Sequence, residues 1–123
     1  MTPVDQLFLH SKEDGVVGDC WRACIASLLD LPAESVPHFM LEPCYLDATA
    51  GWPDQRGMIF HIDVFPPNEL CIAVDRSPRE GYHSVIADGG ALEDKVPKLV
   101  HDPHPSRAGL VHKDPRYFWF VVK

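Results

Sequence analysis

The sequence predicts an α+β fold, with an early helix packed on an antiparallel sheet. Three observations predict it. Cys24, Ile25, Leu28 and Leu29 recur with the period of a helix. After Pro66-Pro67 the chain changes to short apolar runs separated by turn residues, which is the pattern of strands. Helix-type and strand-type segments are also segregated along the chain, where a parallel α/β fold would alternate them. The 123 residues form a single domain, 1–123, and an apolar fraction of 46% is enough to build a core.

Taken in order, Gln6–His10 reads as a short first strand, ended by the polar loop Ser11–Gly15. Gly18-Asp19 then turns into a helix that begins at Cys20. Asp19 is a favoured N-cap residue, and its carboxylate is expected to accept from the first-turn amides. The apolar stripe of this helix runs back to Cys20, which therefore points inward, and Leu31-Pro32 stops it. Pro32–Val36 fits a single turn, and Pro37–Leu46 a second, irregular helix carrying Phe39, Met40 and Leu41. From Asp47 to Pro67 the signal weakens. Gly51-Trp52-Pro53 and Arg56-Gly57 read as loop punctuation, and Met58–Phe65 suits helix or strand.

Leu70–Val74 is an apolar strand, broken by Ser77–Gly81. Tyr82–Ala87 follows, ended by the turn signal Asp88-Gly89-Gly90. Lys98–His101 is a third strand, stopped by Asp102-Pro103-His104-Pro105. Tyr117–Val122 is the most β-prone run and is expected as a buried central strand. The strands together are expected to form an antiparallel meander.

Eleven basic against eighteen acidic residues give a net charge of −7, which disfavours a nucleic-acid partner. Met1–Gln6 has no basic region leading into an apolar stretch, and no run approaches the ~20 apolar residues that span a bilayer. The expectation is a cytoplasmic protein with no membrane partner. There Cys20, Cys24, Cys44 and Cys71 stay as thiols. Cys24, Cys44 and Cys71 read as inert packing residues.

Cys20 is different because it opens a helix. Unpaired backbone N–H groups and the positive end of the helix dipole favour a thiolate there. A nucleophilic thiol needs a base and a group that orients the base. His83 begins a strand just after the Gly81-Tyr82 turn, and Asp102 ends the next strand. Adjacent antiparallel strands bring two such residues side by side. His101, Asp102 and His104 cluster, while His10, His38, His61 and His112 are scattered. The cluster lacks the paired spacing of a zinc site, and its prolines suit chelation poorly. No Gly-rich phosphate loop is present, so neither a metal nor another cofactor is expected.

Gly18-Asp19-Cys20-Trp21 opening a helix, Tyr82-His83-Ser84-Val85-Ile86 on a strand, and Val100-His101-Asp102-Pro103 ending the next resemble the papain-like cysteine peptidase superfamily. More narrowly, they are similar to the small branch that includes the leader peptidases of bacteriocin exporters. Transglutaminase-like proteins share the same Cys, His, Asp order. Small bacterial and phage proteins look similar through Gly18-Asp19-Cys20, Leu31-Pro32 to Pro37-His38-Phe39, and His101 to Ser106. The resemblance covers residues 18 to about 110. It implies a papain-like fold with Cys20 as nucleophile, His83 as base and acid, and Asp102 orienting His83. The activity it implies is hydrolysis of a peptide, isopeptide or other amide bond through a thioester, on a peptide or protein substrate. An acyltransferase, or a non-catalytic binding module on the same fold, is the alternative.

One departure concerns the oxyanion. Papain-like enzymes commonly carry a Gln a few residues before the Cys, whose amide binds the oxyanion. Asp14 stands six residues before Cys20, and the nearest upstream Gln is the more distant Gln6. A carboxylate cannot donate a hydrogen bond. That leaves the Cys20 amide as one donor, with Lys12, His10 or another backbone amide as the second. Trp21, next to the nucleophile, either walls a cleft or packs in the core.

Overall fold

A computed structural model describes all residues, Met1–Lys123. Helix α1 (Cys20–Leu28) starts at the cysteine, and its Trp21, Ala23, Cys24, Ile25, Ala26 and Ser27 are buried. It is buried on more sides than one apolar stripe requires. The sheet lies against one side, and on the other Ser27 takes the Val4 N–H at 2.9 Å. The helix ends at Leu28, before Pro32. The main core joins Trp21, Cys24 and Ile25 to Val36, Phe39, Ile72, Ile86 and Phe118. Trp21 is its anchor, with 1% of its surface exposed. Its ring meets Phe118 edge-on at 4.9 Å and also touches Tyr45 and Phe60. Its Nε1 donates to Thr49 Oγ1 at 3.0 Å, so the indole N–H is satisfied inside the core. Of the two roles open to Trp21, packing is the one it takes.

Between α1 and the sheet the chain departs from expectation. Ala33–Ser35 forms the expected single turn, but Phe39–Leu41 is only a 3-10 turn. Pro43 disfavours helical backbone at Glu42, which is extended at ψ 147°. The second helix, α2 (Tyr45–Asp54), therefore begins after it and takes in Gly51-Trp52-Pro53, expected to be loop. Packing overrides the weak local signal: Tyr45 meets Trp21, and Trp52 meets Phe39 edge-on. Cys44, expected to be a packing residue, is exposed and donates to Asp47.

Five antiparallel strands follow: β1 (Met58–Asp63), β2 (Leu70–Arg76), β3 (Tyr82–Glu93), β4 (Val96–His101) and β5 (Val111–Val122). Their order is β1-β5-β2-β3-β4. Only β2-β3-β4 is a meander, because β5 returns to pair with both β2 and β1. Tyr117–Val122 is thus an interior strand, as its β propensity suggests, although Val121 and Val122 at its end are exposed. Asp88-Gly89-Gly90 does not end β3. The strand runs through it and turns at Asp94-Lys95, both with left-handed φ (51° and 68°). Gly89 marks a close approach of backbones instead. A Cβ there would lie 1.8 Å from the Pro67 carbonyl oxygen, and the Gly89 N–H donates to Glu69. A second apolar cluster (Cys71, Ala73, Val85, Ala87, Tyr117) is partly covered by Leu110 and Trp119.

Gln6–His10 is not a strand. Its Leu7 and Phe8 amides donate to the Asp19 carboxylate at 3.2 and 2.8 Å, so the segment is a strap laid across the start of α1. Asp19 accordingly makes no side-chain cap to its own helix. Its buried carboxylate holds the strap and pairs with Arg22 at 2.7 Å. All four cysteines are free, and no helix is long and apolar enough to cross a membrane.

Candidate active site

The register of β3 and β4 explains how His83 and Asp102 come together. Ile86 pairs with His101, so the residues after His101 continue past the end of β4 alongside Val85, Ser84 and His83. His83 Nε2 lies 2.7 Å from Asp102 Oδ1, and both residues are buried. Asp102 is saturated with donors. Its Oδ1 also accepts the His104 N–H at 2.9 Å, and its Oδ2 accepts the Gly109 N–H at 2.7 Å. Gly109 has φ +74°, which suits glycine and turns its amide into the pair. Burial would push the Asp102 carboxyl up, but His83, His104 and Gly109 hold it below the ordinary carboxylate value. An ionised carboxylate only accepts, so the Nε2 proton of His83 faces Asp102 and Nδ1 is left for a second partner.

Cys20, at the first position of α1, lines the same cleft as His83 and is coupled to it electrostatically. Burial pushes the thiol up. The His83 hydrogen bond and charge, together with the Ser84 backbone, outweigh it and bring Cys20 below the ordinary thiol value. Burial likewise pushes His83 down, but Cys20 and Asp102 together raise it. Each partner stabilises the charged form of the other, which favours a thiolate–imidazolium pair. Cys24, one turn deeper, has no such help, and burial pushes it well up. Burial also pushes Cys71 up, to about 12.

Cys20 and His83 open onto a cleft of about 890 Å³. One wall carries Gln6, His10 and Lys12, and another carries Arg79, Glu80 and His104. Gln6, fourteen residues before Cys20, comes into the cleft because the intervening chain doubles back at the Ser11–Val16 bridge. Its own N–H donates to Pro103 O, and its Nε2 donates to Phe8 O at 2.8 Å. One Nε2 proton is left over, and Oε1 is buried without a partner. Linear distance in sequence conceals this residue. Arg79 and Glu80 sit in a loop that carries no sequence signal beyond a strand break.

The histidine cluster divides. His101 Nε2 turns to Val4 O (3.1 Å) and Asp5 (3.2 Å) on the strap, whereas His104 turns into the cleft. No three His, Cys, Asp or Glu side chains are grouped so as to hold a metal ion. No family model, curated protein or solved structure matches the chain.

Proposed function

We propose that this chain is a small cysteine-dependent hydrolase of amide bonds with a papain-like arrangement of its nucleophile helix and sheet. The observation that carries the reading is the line of groups from Cys20 through His83 to a fully hydrogen-bonded Asp102, opening onto one cleft. The Cys20 thiolate attacks the substrate carbonyl, and the C=O π electrons move onto oxygen. Protonated His83 gives its proton to the leaving nitrogen as the C–N bond breaks, leaving a thioester. His83 then takes a proton from water, hydroxide adds to the thioester, and the thiolate departs. The Cys20 N–H at the helix start is one oxyanion donor, and the spare Nε2 proton of Gln6 is the second.

Alkylation tests this reading. Iodoacetamide at neutral pH is expected to label Cys20 ahead of Cys44, although Cys44 is the more exposed thiol. His83→Ala is expected to abolish that lead. Cys20 labelling no faster than Cys44, or untouched by His83→Ala, discards the hydrolase in favour of a binding module.

A further inference from the structure

His104 is an imidazole of the cleft, beside His83, that the catalytic steps leave idle. Its protonation state is set by its neighbours. Ser106 N–H donates to its Nδ1 at 3.0 Å, and the Ser106 hydroxyl lies 2.9 Å from the same nitrogen. That hydroxyl oxygen already accepts from Arg79 Nη1 (3.0 Å) and Ala108 N (3.3 Å), so its own proton goes to His104. Nδ1 is therefore an acceptor twice over, and the ring proton sits on Nε2. A second proton would have to enter between Nδ1 and two donors. Burial and the nearby Arg79 and His83 charges also hold His104 below its ordinary value, in spite of Asp102. The cleft thus contains a neutral imidazole whose one free polar group is an N–H donor.

Its place decides what that donor meets. The ring stands edge-to-face beside His83, with centroids 6.1 Å apart. His83 must deliver its proton to the leaving nitrogen, so the group beside His83 borders the leaving half of the substrate. In a leaving amino acid the carbonyl oxygen lies about 3 Å from the amine nitrogen, given ordinary bond lengths. Two hydrogen bonds of about 3 Å each, one from each ring, reach those two atoms.

Resting on the hydrolase reading, we propose that His104 is a specificity-determining residue whose Nε2–H binds the carbonyl oxygen adjoining the leaving amine. The site then favours amines that carry a neighbouring carbonyl, as in a peptide bond. Amines without one, such as a lysine side chain, are disfavoured.

Because the same subsite admits an incoming amine, partitioning of the acyl-enzyme reads it directly. Cys20 is acetylated with p-nitrophenyl acetate, and the thioester is offered glycinamide and propargylamine together. The latter is an amine of similar basicity without a carbonyl. The amine attacks the thioester carbon, a C–N bond forms and the C–S bond breaks. The amine proton passes to His83, and Cys20 leaves as thiolate. Mass spectrometry of the two acetamides gives a capture ratio that does not depend on the overall rate. The wild-type protein is expected to favour glycinamide roughly tenfold, the worth of one hydrogen bond. His104→Ala brings the ratio close to that of the S-acetyl thioester of N-acetylcysteine, and His104→Gln, which keeps a side-chain N–H, restores part of it.

A wild-type acyl-enzyme that takes the two amines equally, or takes neither, overturns the inference. So does a His104→Ala variant with the wild-type ratio. Those results leave the hydrolase reading standing. A protein whose Cys20 neither alkylates nor acetylates faster than free cysteine overturns both.

Discussion

Replacing Asp102 by Asn keeps the shape of the side chain and removes one acceptor, so its cost can be worked from the contacts. Asp102 Oδ1 serves His83 and His104, and Oδ2 serves Gly109. The asparagine amide has two ways to sit. With Nδ2 toward Gly109, two N–H groups meet 2.7 Å apart at a buried position. With Nδ2 toward His83, the orphaned donor is the His104 N–H, which is only partly buried and within reach of water. The second arrangement is the cheaper, at roughly 1–3 kcal/mol for one unsatisfied N–H. It also forces the His83 proton onto Nδ1, so that nitrogen can no longer take the proton of the Cys20 thiol. Asp102→Asn is therefore expected to lose about 1–3 kcal/mol by urea unfolding. Iodoacetamide labelling of Cys20 should slow by at least about 100-fold at neutral pH. The folded carboxyl lies below its unfolded value of 3.8, so it contributes stability above that pH, lost as pH falls through the folded value. The variant should lack this component of acid unfolding. Wild-type labelling by a folded Asp102→Asn protein refutes the assignment of Asp102 as the group that orients His83.

Four further outcomes follow. The labelling rate of Cys20 should persist at pH values below the ordinary thiol value of 9.0, because His83 holds the thiolate. Cys44, raised by its bond to Asp47, should stop reacting at higher pH, and coincident pH profiles would contradict the ion pair. His83, raised above 6.5 in the fold, contributes stability below that pH that is lost as pH rises through its folded value, which His83→Gln should remove. Gln6→Ala should slow acetylation by p-nitrophenyl acetate roughly 10- to 100-fold, and leave alkylation, which forms no oxyanion, much less affected. An equal loss in both reactions assigns Gln6 to structure alone. Gly89→Ala sets a methyl group 1.8 Å from a backbone oxygen and should cost about 1–3 kcal/mol or more in urea, with an unchanged midpoint refuting the close approach.

Local pattern served the sequence reading best where one element decides the structure. The helix at Cys20, the strands at Leu70, Tyr82 and Tyr117, and the Ser77–Gly81 break are each visible in a few residues. It failed where a partner distant in sequence decides. Leu7, Phe8 and Leu9 have strand character but remain exposed at 52%, 49% and 45%, and Asp19 takes the Leu7 and Phe8 amides that a neighbouring strand would have used. Gly89-Gly90 looks like a turn until Pro67 is laid against it. Helix α2 carries a glycine and a proline and is held by aromatic packing from Trp21 and Phe39. The position of Gln6 is the extreme case, since nothing near it in sequence reveals the strap.

The strap also bears on when the site comes into being. Residues 4 to 8 are held by Pro103, by Arg107 through Asp5, and by His101 through Val4 and Asp5. The two segments are separated by almost the whole chain, and closing so long a loop is slow compared with forming a local hairpin. During synthesis the nucleophile helix leaves the ribosome long before Asp102 and Gly109. A nascent chain therefore carries Cys20 before His83 is paired with Asp102 and before the strap that holds Gln6 is anchored. On the hydrolase reading, cleavage would await the segment from His83 to Gly109, so the protein's own unfolded segments would meet a dormant thiol.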